Sequence, residues 1–313
     1  MPERQIVTIT MNPAIDKSAM VERIIPEAKL HCTSIKNEAG GGGINVSKAL
    51  NKLGMGSFAV FSAGGHNGNL LKDLVKKEGI TFEALAVEPE TRENFVILDT
   101  STNDQYRFNM KAAELHEGLS EQCLETLDKM TPKPSFLIAS GSLPGGIAVN
   151  FYARLAKWAD TINAKFILDT SGIPLQLAVN ERIYLLKPNI SELGQLTGME
   201  TNSTENVLAA AQYLLSDKAV QMVVVSMGAQ GALLVTPDTH EFVAAPLVKK
   251  LSTVGAGDCM VAGMVYMLAQ QSTPGNMLRF GIACGSAATM NTGTELFHAA
   301  DVQKLYEQLK PVL

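Results

Sequence analysis

The regular alternation of short apolar runs with amphipathic stretches is the feature that most restricts the fold of this 313-residue chain. Apolar strands separated by helices predict a parallel sheet with helices on both faces. The predicted strands are residues 6–10, 57–62, 136–140, 165–169, 183–187 and 221–226. The predicted helices are residues 45–53, 70–77, 151–159, 191–196, 205–215, 258–271, 276–291 and 300–309. The pattern indicates an α/β fold of three layers, αβα.

Two segments, about residues 17–38 and 93–109, break this rhythm because apolar and polar residues alternate in them without an intervening helix. Alternation with a period of two predicts half-buried antiparallel strands. We therefore expect a small antiparallel β lid beside the main sheet. One apolar face of this lid would need a cover, which predicts a homodimer through it. No repeat or linker divides the chain, so residues 1–313 are predicted to be a single domain.

Composition excludes several functional classes. Hydrophobic residues make up 46% of the chain and charged residues 18%, as is typical of a globular protein with a large core. A net charge of −5 without a long basic run argues against nucleic acid as a main partner. No apolar run reaches the ~18 residues of a membrane helix, so no membrane association is expected. Four separated cysteines and five scattered histidines form no zinc or disulfide pattern, which predicts a cytoplasmic protein.

The sequence Thr-Val-Gly-Ala-Gly-Asp, which ends at Asp258, carries the strongest chemical signal. Backbone N–H groups at a helix N-terminus bind negative charge, and glycines let a ligand approach. We expect Asp258 to take a proton from an alcohol while main-chain amides hold a phosphoryl group, namely those of Gly255, Ala256 and Gly257. A capped turn, with Asp258 favouring the helix dipole, is the structural alternative. A dinucleotide fingerprint is disfavoured because Met260 replaces its third glycine or alanine.

Three further motifs could contact a ligand, and two of them, those with Asp16 and Ser140, follow predicted strands, where ligands bind in open α/β sheets. Asp16 is a candidate acceptor for sugar hydroxyls, although a turn aspartate would explain this motif taken alone. A run of four glycines, which contains Gly41 and Gly42, leads to Asn45, whose amide can donate and accept hydrogen bonds as a polyol requires. A flexible hinge is the alternative for this run. Ser140 ends a strand and opens a glycine-rich loop.

Two motifs favour a nucleotide and a metal ion. Asn189 and Glu192 would share one face of a helix, where they could orient waters bound to Mg²⁺. The same pair could instead form a capping box, and the two roles are compatible. The turn through Ser226, Gly228 and Gly231 could pass close to a nucleotide, although by itself it indicates only a hairpin.

Phosphate groups require cations, and three lie on or near the predicted lid. These are Lys29, Arg92 and Arg107. Each alone would be a solvated surface charge, but together they would close over a substrate, and arginine suits two-point contacts with phosphate.

Taken in order, these motifs resemble the phosphofructokinase B family of ribokinase-like sugar kinases over essentially the whole chain. The matching motifs are Asn-Pro-x-x-Asp, Gly-Gly-x-Gly-x-Asn-Val, Ser-Gly-Ser-Leu-Pro, Lys-Pro-Asn-x-x-Glu, Ser-x-Gly-x-x-Gly-Ala and Gly-Ala-Gly-Asp. The resemblance implies a ribokinase-like fold and transfer of the ATP γ-phosphoryl group, with Mg²⁺, to a hydroxyl of a ketohexose phosphate.

The resemblance also implies roles for individual residues. Asp258 would be the base, with the amides of Gly255, Ala256 and Gly257 at the developing charge. The sugar phosphate would contact Asp16, Lys29, Gly41, Gly42, Asn45, Arg92, Arg107 and Ser140. The nucleotide would contact Lys187, Asn189, Ser226, Gly228, Gly231, Gly257 and Asn291, and Glu192 would serve the metal through water.

The substrate is the finer question. Gly42 stands where kinases of fructose 1-phosphate and tagatose 6-phosphate have lysine, so the resemblance favours fructose 6-phosphate, with those two sugars as alternatives. His31 and Gly145 depart from the pattern expected for a fructose 6-phosphate kinase, which has arginine and proline there. A sensor that binds sugar phosphate without catalysis is the alternative from another class, and the presence of Asp258 argues against it.

Overall fold

The structure is a computed structural model that describes residues 5–291 and 295–310. Its main sheet has nine strands in the order β13-β12-β11-β10-β9-β8-β1-β4-β5. The strands are β1 (Ile6–Thr10), β4 (Phe58–Gly64), β5 (Thr81–Val87), β8 (Phe136–Ser140), β9 (Lys165–Asp169), β10 (Leu185–Leu186), β11 (Val223–Ser226), β12 (Ala232–Val235) and β13 (His240–Val243). Neighbouring strands are parallel from β5 to β11, whereas β12 and β13 are added antiparallel at one edge.

A second sheet of four strands stands beside the main one, in the order β3-β2-β6-β7. Its strands are β2 (Ala14–Val21), β3 (Thr33–Gly40), β6 (Arg92–Asp99) and β7 (Asp104–Asn109). The pairs β2–β3 and β6–β7 are antiparallel as predicted, but β2 and β6 in the centre are parallel. The reason is that β2 follows β1 and β6 follows β5, so both leave the same edge of the main sheet in the same direction. The two segments also begin earlier than predicted, at Ala14 and Arg92.

Helices cover both faces of the main sheet. They are α1 (Gly42–Lys52), α2 (Gly65–Lys77), α3 (Leu119–Lys129), α4 (Phe151–Thr161), α5 (Gly172–Ala178), α6 (Ile190–Thr197), α7 (Thr204–Asp217), α8 (Ala256–Ala269), α9 (Pro274–Thr289) and α10 (Ala299–Leu309). Side chains of β8 alternate between the faces: Leu137 packs in the core with α3 to α7, and Ile138 packs in the core with α1, α8, α9 and α10. The three-layer αβα prediction is confirmed.

The element boundaries show where sequence patterns are informative. The predicted bounds of β1, β8 and β9 are those of the structure, because these central strands are mostly apolar and buried on both faces of the sheet. Helix α1 begins at Gly42 rather than Asn45, since part of the glycine run is helical. The elements β5, β13, α3 and α5 were not predicted. Both β5 and β13 are partly exposed strands without a continuous apolar run, and α5 is only seven residues long.

The tight packing of α8 against α9 depends on glycine. A Cβ atom at Gly263 of α8 would lie 2.6 Å from Sγ of Cys284 and 3.1 Å from Cα of Gly281, both in α9. Interior atoms are already close-packed, so an added methyl group must displace one helix.

We expect Gly263→Ala to lower the free energy of unfolding by about 1–3 kcal/mol, the usual cost of overpacking a core. The better helix propensity of alanine, about 1 kcal/mol, offsets only part of that cost. Urea unfolding followed by circular dichroism measures the change. Gly56→Ala is the matched control, because a Cβ there would meet no atom within 4 Å. Equal losses in the two variants would contradict the packing argument.

Candidate active site

Most of the predicted site residues lie at the carboxyl ends of the parallel strands. The chain leaves β1 towards β4 on one side, whereas β8 pairs with β1 on the other, which creates a switch point between β1 and β8. Ligands bind in the crevice at such points. The ends of β8, β9 and β10 bring Ser140, Asp169 and Lys187 to this edge.

Asp258 lies at the centre of the cluster, in the first turn of α8. Its Oδ2 accepts a hydrogen bond from Nδ2 of Asn45 at 2.9 Å, and its Oδ1 accepts one from Oγ of Ser140 at 3.1 Å. Gly255 is the N-cap residue before α8; its φ of 71° is in the left-handed region, and no side chain caps the helix. The carboxylate is therefore held by α1 and β8 and does not cap its own helix.

The start of α8 presents main-chain donors beside this carboxylate. The N–H of Ala256 donates to the carbonyl oxygen of Thr253 at 3.4 Å, whereas helix geometry leaves that of Gly257 without an acceptor in the helix. A Cβ on Gly257 would lie 3.5 Å from Nζ of Lys187, so the lysine ammonium adjoins this turn. The arrangement is suited to an anion.

Burial and the neighbouring charges together set the proton affinity of Asp258. Burial raises the pKa of the Asp258 carboxyl to about 7, and the negative charge of Asp169 acts in the same direction. Asp169 forms an ion pair with buried Lys187, with Oδ1 and Nζ 3.1 Å apart. Burial by itself would lower the pKa of Lys187, but the ion pair outweighs it and the pKa is raised. Asp258 is thus a carboxyl group that exchanges its proton near neutral pH.

The glycine run serves the approach of α1 to the strand ends. A Cβ at Gly42 would lie 2.2 Å from Oγ of Ser140, and one at Gly43 would lie 2.6 Å from the carbonyl oxygen of Ile9. Gly41 precedes the helix with a φ of 122°. Without side chains here, α1 can place Asn45 against Asp258. The hinge alternative is not favoured, since the run is built into a strand end and a helix.

A second group of polar residues lies at the base of the small sheet. Oδ1 of buried Asp16 accepts a hydrogen bond from Nδ2 of Asn94 at 2.9 Å, and burial raises the pKa of Asp16. Arg92 donates from Nη1 to Oδ1 of Asn94 and from Nη2 to the carbonyl oxygen of Asn12, both at 3.1 Å. Nε of Arg92 and Oδ1 of Asn45 are buried without a hydrogen-bond partner. Such unpaired atoms are costly unless a ligand meets them.

The residues predicted to contact a nucleotide line the next strand ends. Asn189 and Glu192 form the capping box of α6: Oδ1 of Asn189 accepts from the N–H of Glu192 at 2.9 Å, and Oε2 of Glu192 accepts from the N–H of Asn189 at 2.8 Å. Ser226 bridges to Asn189 at the end of β11. Gly228 begins a short 3₁₀ turn, and at Gly231 a Cβ would lie 2.1 Å from the carbonyl oxygen of Val243. The capping role and the turn are therefore structural facts, and they leave a ligand role open.

Three predicted residues lie outside these clusters. Lys29 is exposed in the connection between β2 and β3. Arg107 donates from Nη2 to Oγ1 of Thr253 at 3.2 Å, so it links the small sheet to the loop before α8. Asn291 donates from Nδ2 to the carbonyl oxygen of Ala287 at the end of α9. The bond to Thr253 places Arg107 near the site. Among the described residues, no contact places Lys29 there.

Two residues of the site were not predicted. Asp169 was seen only as the end of a strand, although an acidic residue at a strand's carboxyl end is itself a signal. Asn94, which binds both Asp16 and Arg92, was assigned only to the alternating pattern of β6. The spacing of residues in the sequence shows neither the hydrogen-bond partners of Asn94 nor the direction of its side chain.

Within residues 5–291 and 295–310, no three acidic, histidine or cysteine side chains are grouped closely enough to hold a metal ion alone. Over the same residues, no helix has the length and apolar character that spanning a membrane would require.

Comparison with known proteins agrees with this architecture. The family described as pfkB family carbohydrate kinase matches residues 6–299. The ATP-dependent 6-phosphofructokinase isozyme 2 of Escherichia coli is 39% identical over 310 residues, which cover 97% of this chain and 99% of that protein. A 1-phosphofructokinase of Xanthomonas campestris is 33% identical, with 86% of each chain covered. The structure of the tetrameric inhibited form of E. coli phosphofructokinase-2 has a TM-score of 0.90 at 38% identity and covers 98% of this chain and 99% of that one.

The raised pKa of Asp258 predicts a pH-dependent stability. Between about pH 4, the pKa of an unfolded aspartate, and about pH 7 the unfolded chain releases this proton and the folded chain keeps it, so the group destabilises the fold as pH rises. We expect Asp258→Asn, which removes the charge, to gain stability relative to the original protein as pH rises over this window. Melting temperatures at several pH values measure the difference. Asp73→Asn, on an exposed part of α2, is the control, and a pH-independent difference for Asp258→Asn would contradict the argument.

Proposed function

The chain belongs to the pfkB family of carbohydrate kinases and is a phosphotransferase with a ribokinase-like fold, and we propose that it transfers the γ-phosphoryl group of ATP to fructose 6-phosphate. The observation that carries this proposal is the Asp258 carboxyl, oriented by Asn45 and Ser140 beside the main-chain N–H groups at the start of α8. The relatives named as 6-phosphofructokinase support the choice of substrate, since they are similar over almost the whole chain.

The geometry supports catalysis by proton removal and charge stabilisation. Deprotonated Asp258 accepts the proton of the attacking sugar hydroxyl. The hydroxyl oxygen then bonds to the γ-phosphorus as the bond to the leaving oxygen of ADP breaks. The N–H of Gly257, with those of its neighbours Gly255 and Ala256, and the adjoining Lys187 ammonium stabilise the negative charge on the transferring group. Each of these groups lies at the start of α8 or beside it.

The sugar phosphate would lie between α1 and the base of the small sheet. The unpaired Oδ1 of Asn45 can accept from a sugar hydroxyl, as can the carboxylate of Asp16. The unpaired Nε of Arg92 can donate to the phosphate. Gly42 favours fructose 6-phosphate over the two alternative sugars, because the kinases of those sugars that the chain resembles have lysine at this position.

ATP would lie along the ends of β10 and β11, with Lys187, Asn189 and the turn from Ser226 to Gly231. The site is compatible with Mg²⁺, because this ion usually keeps several of its bound waters and takes its remaining ligands from substrate phosphates. Glu192 would hold such a water, since burial and the nearby Asp169 raise the pKa of its carboxyl and a cation would offset that cost. When bound, Mg²⁺ would neutralise part of the negative charge of the ATP phosphates.

A substrate panel tests the proposal. We expect ATP-dependent ADP release to be fastest with fructose 6-phosphate, against fructose 1-phosphate and tagatose 6-phosphate, and kcat/KM to rise with pH through about 7 as Asp258 loses its proton. Asp258→Asn should lower turnover by about 10²–10⁴-fold with ATP binding little changed, as expected for loss of a general base. Coupled assay of ADP and calorimetry of ATP binding measure the two quantities.

Asp73→Asn, which leaves the site unaltered, is the control for turnover. Near-normal turnover by Asp258→Asn would refute the role of base. Faster turnover of another sugar would correct the substrate, and tight sugar-phosphate binding without turnover of any sugar would favour the sensor.

We also propose that the chain is one cytoplasmic kinase domain that forms a homodimer through the small sheet. Strand alternation puts Asp16 and Asn94 on the face towards the site, so the opposite face carries Ile35, Tyr106 and Phe108, which are 68%, 40% and 48% exposed. An exposed apolar sheet face favours association, and the E. coli relative has a tetrameric form.

Light scattering on purified protein tests the dimer. We expect Phe108→Glu to convert dimer to monomer at concentrations where the original protein is dimeric, because a carboxylate would be buried in the interface without a partner. Ile173→Glu changes a side chain that is 58% exposed on α5 and should leave the dimer intact. A dimer that survives Phe108→Glu, or an original protein that is monomeric, would refute this interface.

A further inference from the structure

A cavity of about 180 Å³ opens at the edge of the main sheet opposite Asp258. It lies at the amino ends of β9 and β10, whose carboxyl ends carry Asp169 and Lys187. The chain has a net negative charge, but the lining of this cavity contains two cationic residues and only one acidic residue. The lining that matters here is Asp160, Asn163, Lys165, Arg182, Tyr184 and Gln221.

Lys165 is a half-buried residue, and among the described residues its ammonium group has no ion pair with an acid. Its Nζ donates to the hydroxyl of Tyr184 at 3.1 Å and lies 4.3 Å from the centre of that ring and 5.6 Å from the centre of the Phe136 ring. Contacts with aromatic faces offset part of the cost of removing the charge from water. An ammonium has three donors, so two remain for a ligand.

Arg182 is the second cation of the lining, and two neighbouring side chains orient its guanidinium group. Its Nη1 is 2.8 Å from Oδ1 of Asp160. With the amide of Gln221 oriented so that its oxygen faces the guanidinium, that oxygen accepts from Nε at 2.8 Å and from Nη2 at 3.1 Å. These bonds use three of the five N–H donors of the guanidinium, which leaves two. The carboxylate of Asp160 balances one of the two cations, so the lining keeps a net positive charge.

We propose that this cavity binds a small phosphoryl anion, either inorganic phosphate or the phosphate of a small ester. The cavity is smaller than the roughly 300–1,000 Å³ of sites for drug-sized ligands, which favours a small ion over a whole nucleotide. The rings of Tyr184 and Phe136 already lie against Lys165, so they do not offer free faces for a base. The hydroxyl of Tyr184 accepts from Lys165, and its own hydrogen is therefore free to donate to the anion.

The proposal does not depend on the proposed kinase activity, and its test measures binding. Calorimetric titration of the full chain with phosphate, at constant ionic strength, should give a binding event that Lys165→Met weakens by about tenfold or more, since a charge-assisted hydrogen bond is lost. Lys165→Arg should retain it. Lys157→Met is the matched control, because Lys157 lies on neighbouring α4 and pairs with Glu181. Glycerol 3-phosphate in place of phosphate distinguishes an ester from the free ion.

Phosphate can also bind at the phosphoryl-transfer site, so the location must be determined. Crystals soaked in tungstate should show an anomalous peak beside Lys165 and Tyr184 in the original protein and lose it in Lys165→Met. Circular dichroism checks that the variant is folded. Phosphate affinity unchanged in a folded Lys165→Met, or tungstate found only beside Asp258, would overturn the proposal.

Discussion

The two hydrogen bonds that Asp258 accepts, from Asn45 and from Ser140, require two helices and a strand to meet within a few ångströms. Helix α1 reaches that position only because Gly42 and Gly43 allow it against β8 and β1. Helix α8 is aimed there by its packing on α9. The same packing exposes the first turn of α8 to the crevice. The carboxylate of Asp258 and the main-chain donors are therefore positioned by the same helix packing.

Electrostatics at the strand ends follow from that convergence. Asp169, Lys187 and Asp258 form an alternating set in which one cation lies near two carboxyl groups. Since Asp169 makes the direct ion pair, Asp258 is left with the weaker attraction and with the full cost of burial. A carboxyl group can thus act near neutral pH without any unusual chemical modification. The large apolar cores on the two faces of the sheet offset the free-energy cost of burying this carboxyl group.

Sequence patterns were accurate wherever one local rule determined the structure. Mostly apolar runs predicted the bounds of β1, β8 and β9, and the spacing of Asn189 and Glu192 predicted a capping box that the structure contains. They were weaker where distant segments decide the outcome. Strand alternation predicted the small sheet but not its parallel centre, and it identified neither Asn94 nor Asp169 as site residues. The start of α1 was set too late because glycine usually favours loops, and here close contact with β8 overrides that preference.

The parallel pairing of β2 with β6 has a mechanical consequence. The paired strands run from Ala14 beside Arg92 to Val21 beside Asp99, so the residues nearest the crevice are also those nearest the attachment of the small sheet to the rest of the protein. In a rigid rotation about that attachment, displacement grows with distance from the axis. Asp16 and Asn94 would then keep their places while the far turns move by larger distances, so such a rotation need not disturb the hydrogen bond between Asp16 and Asn94.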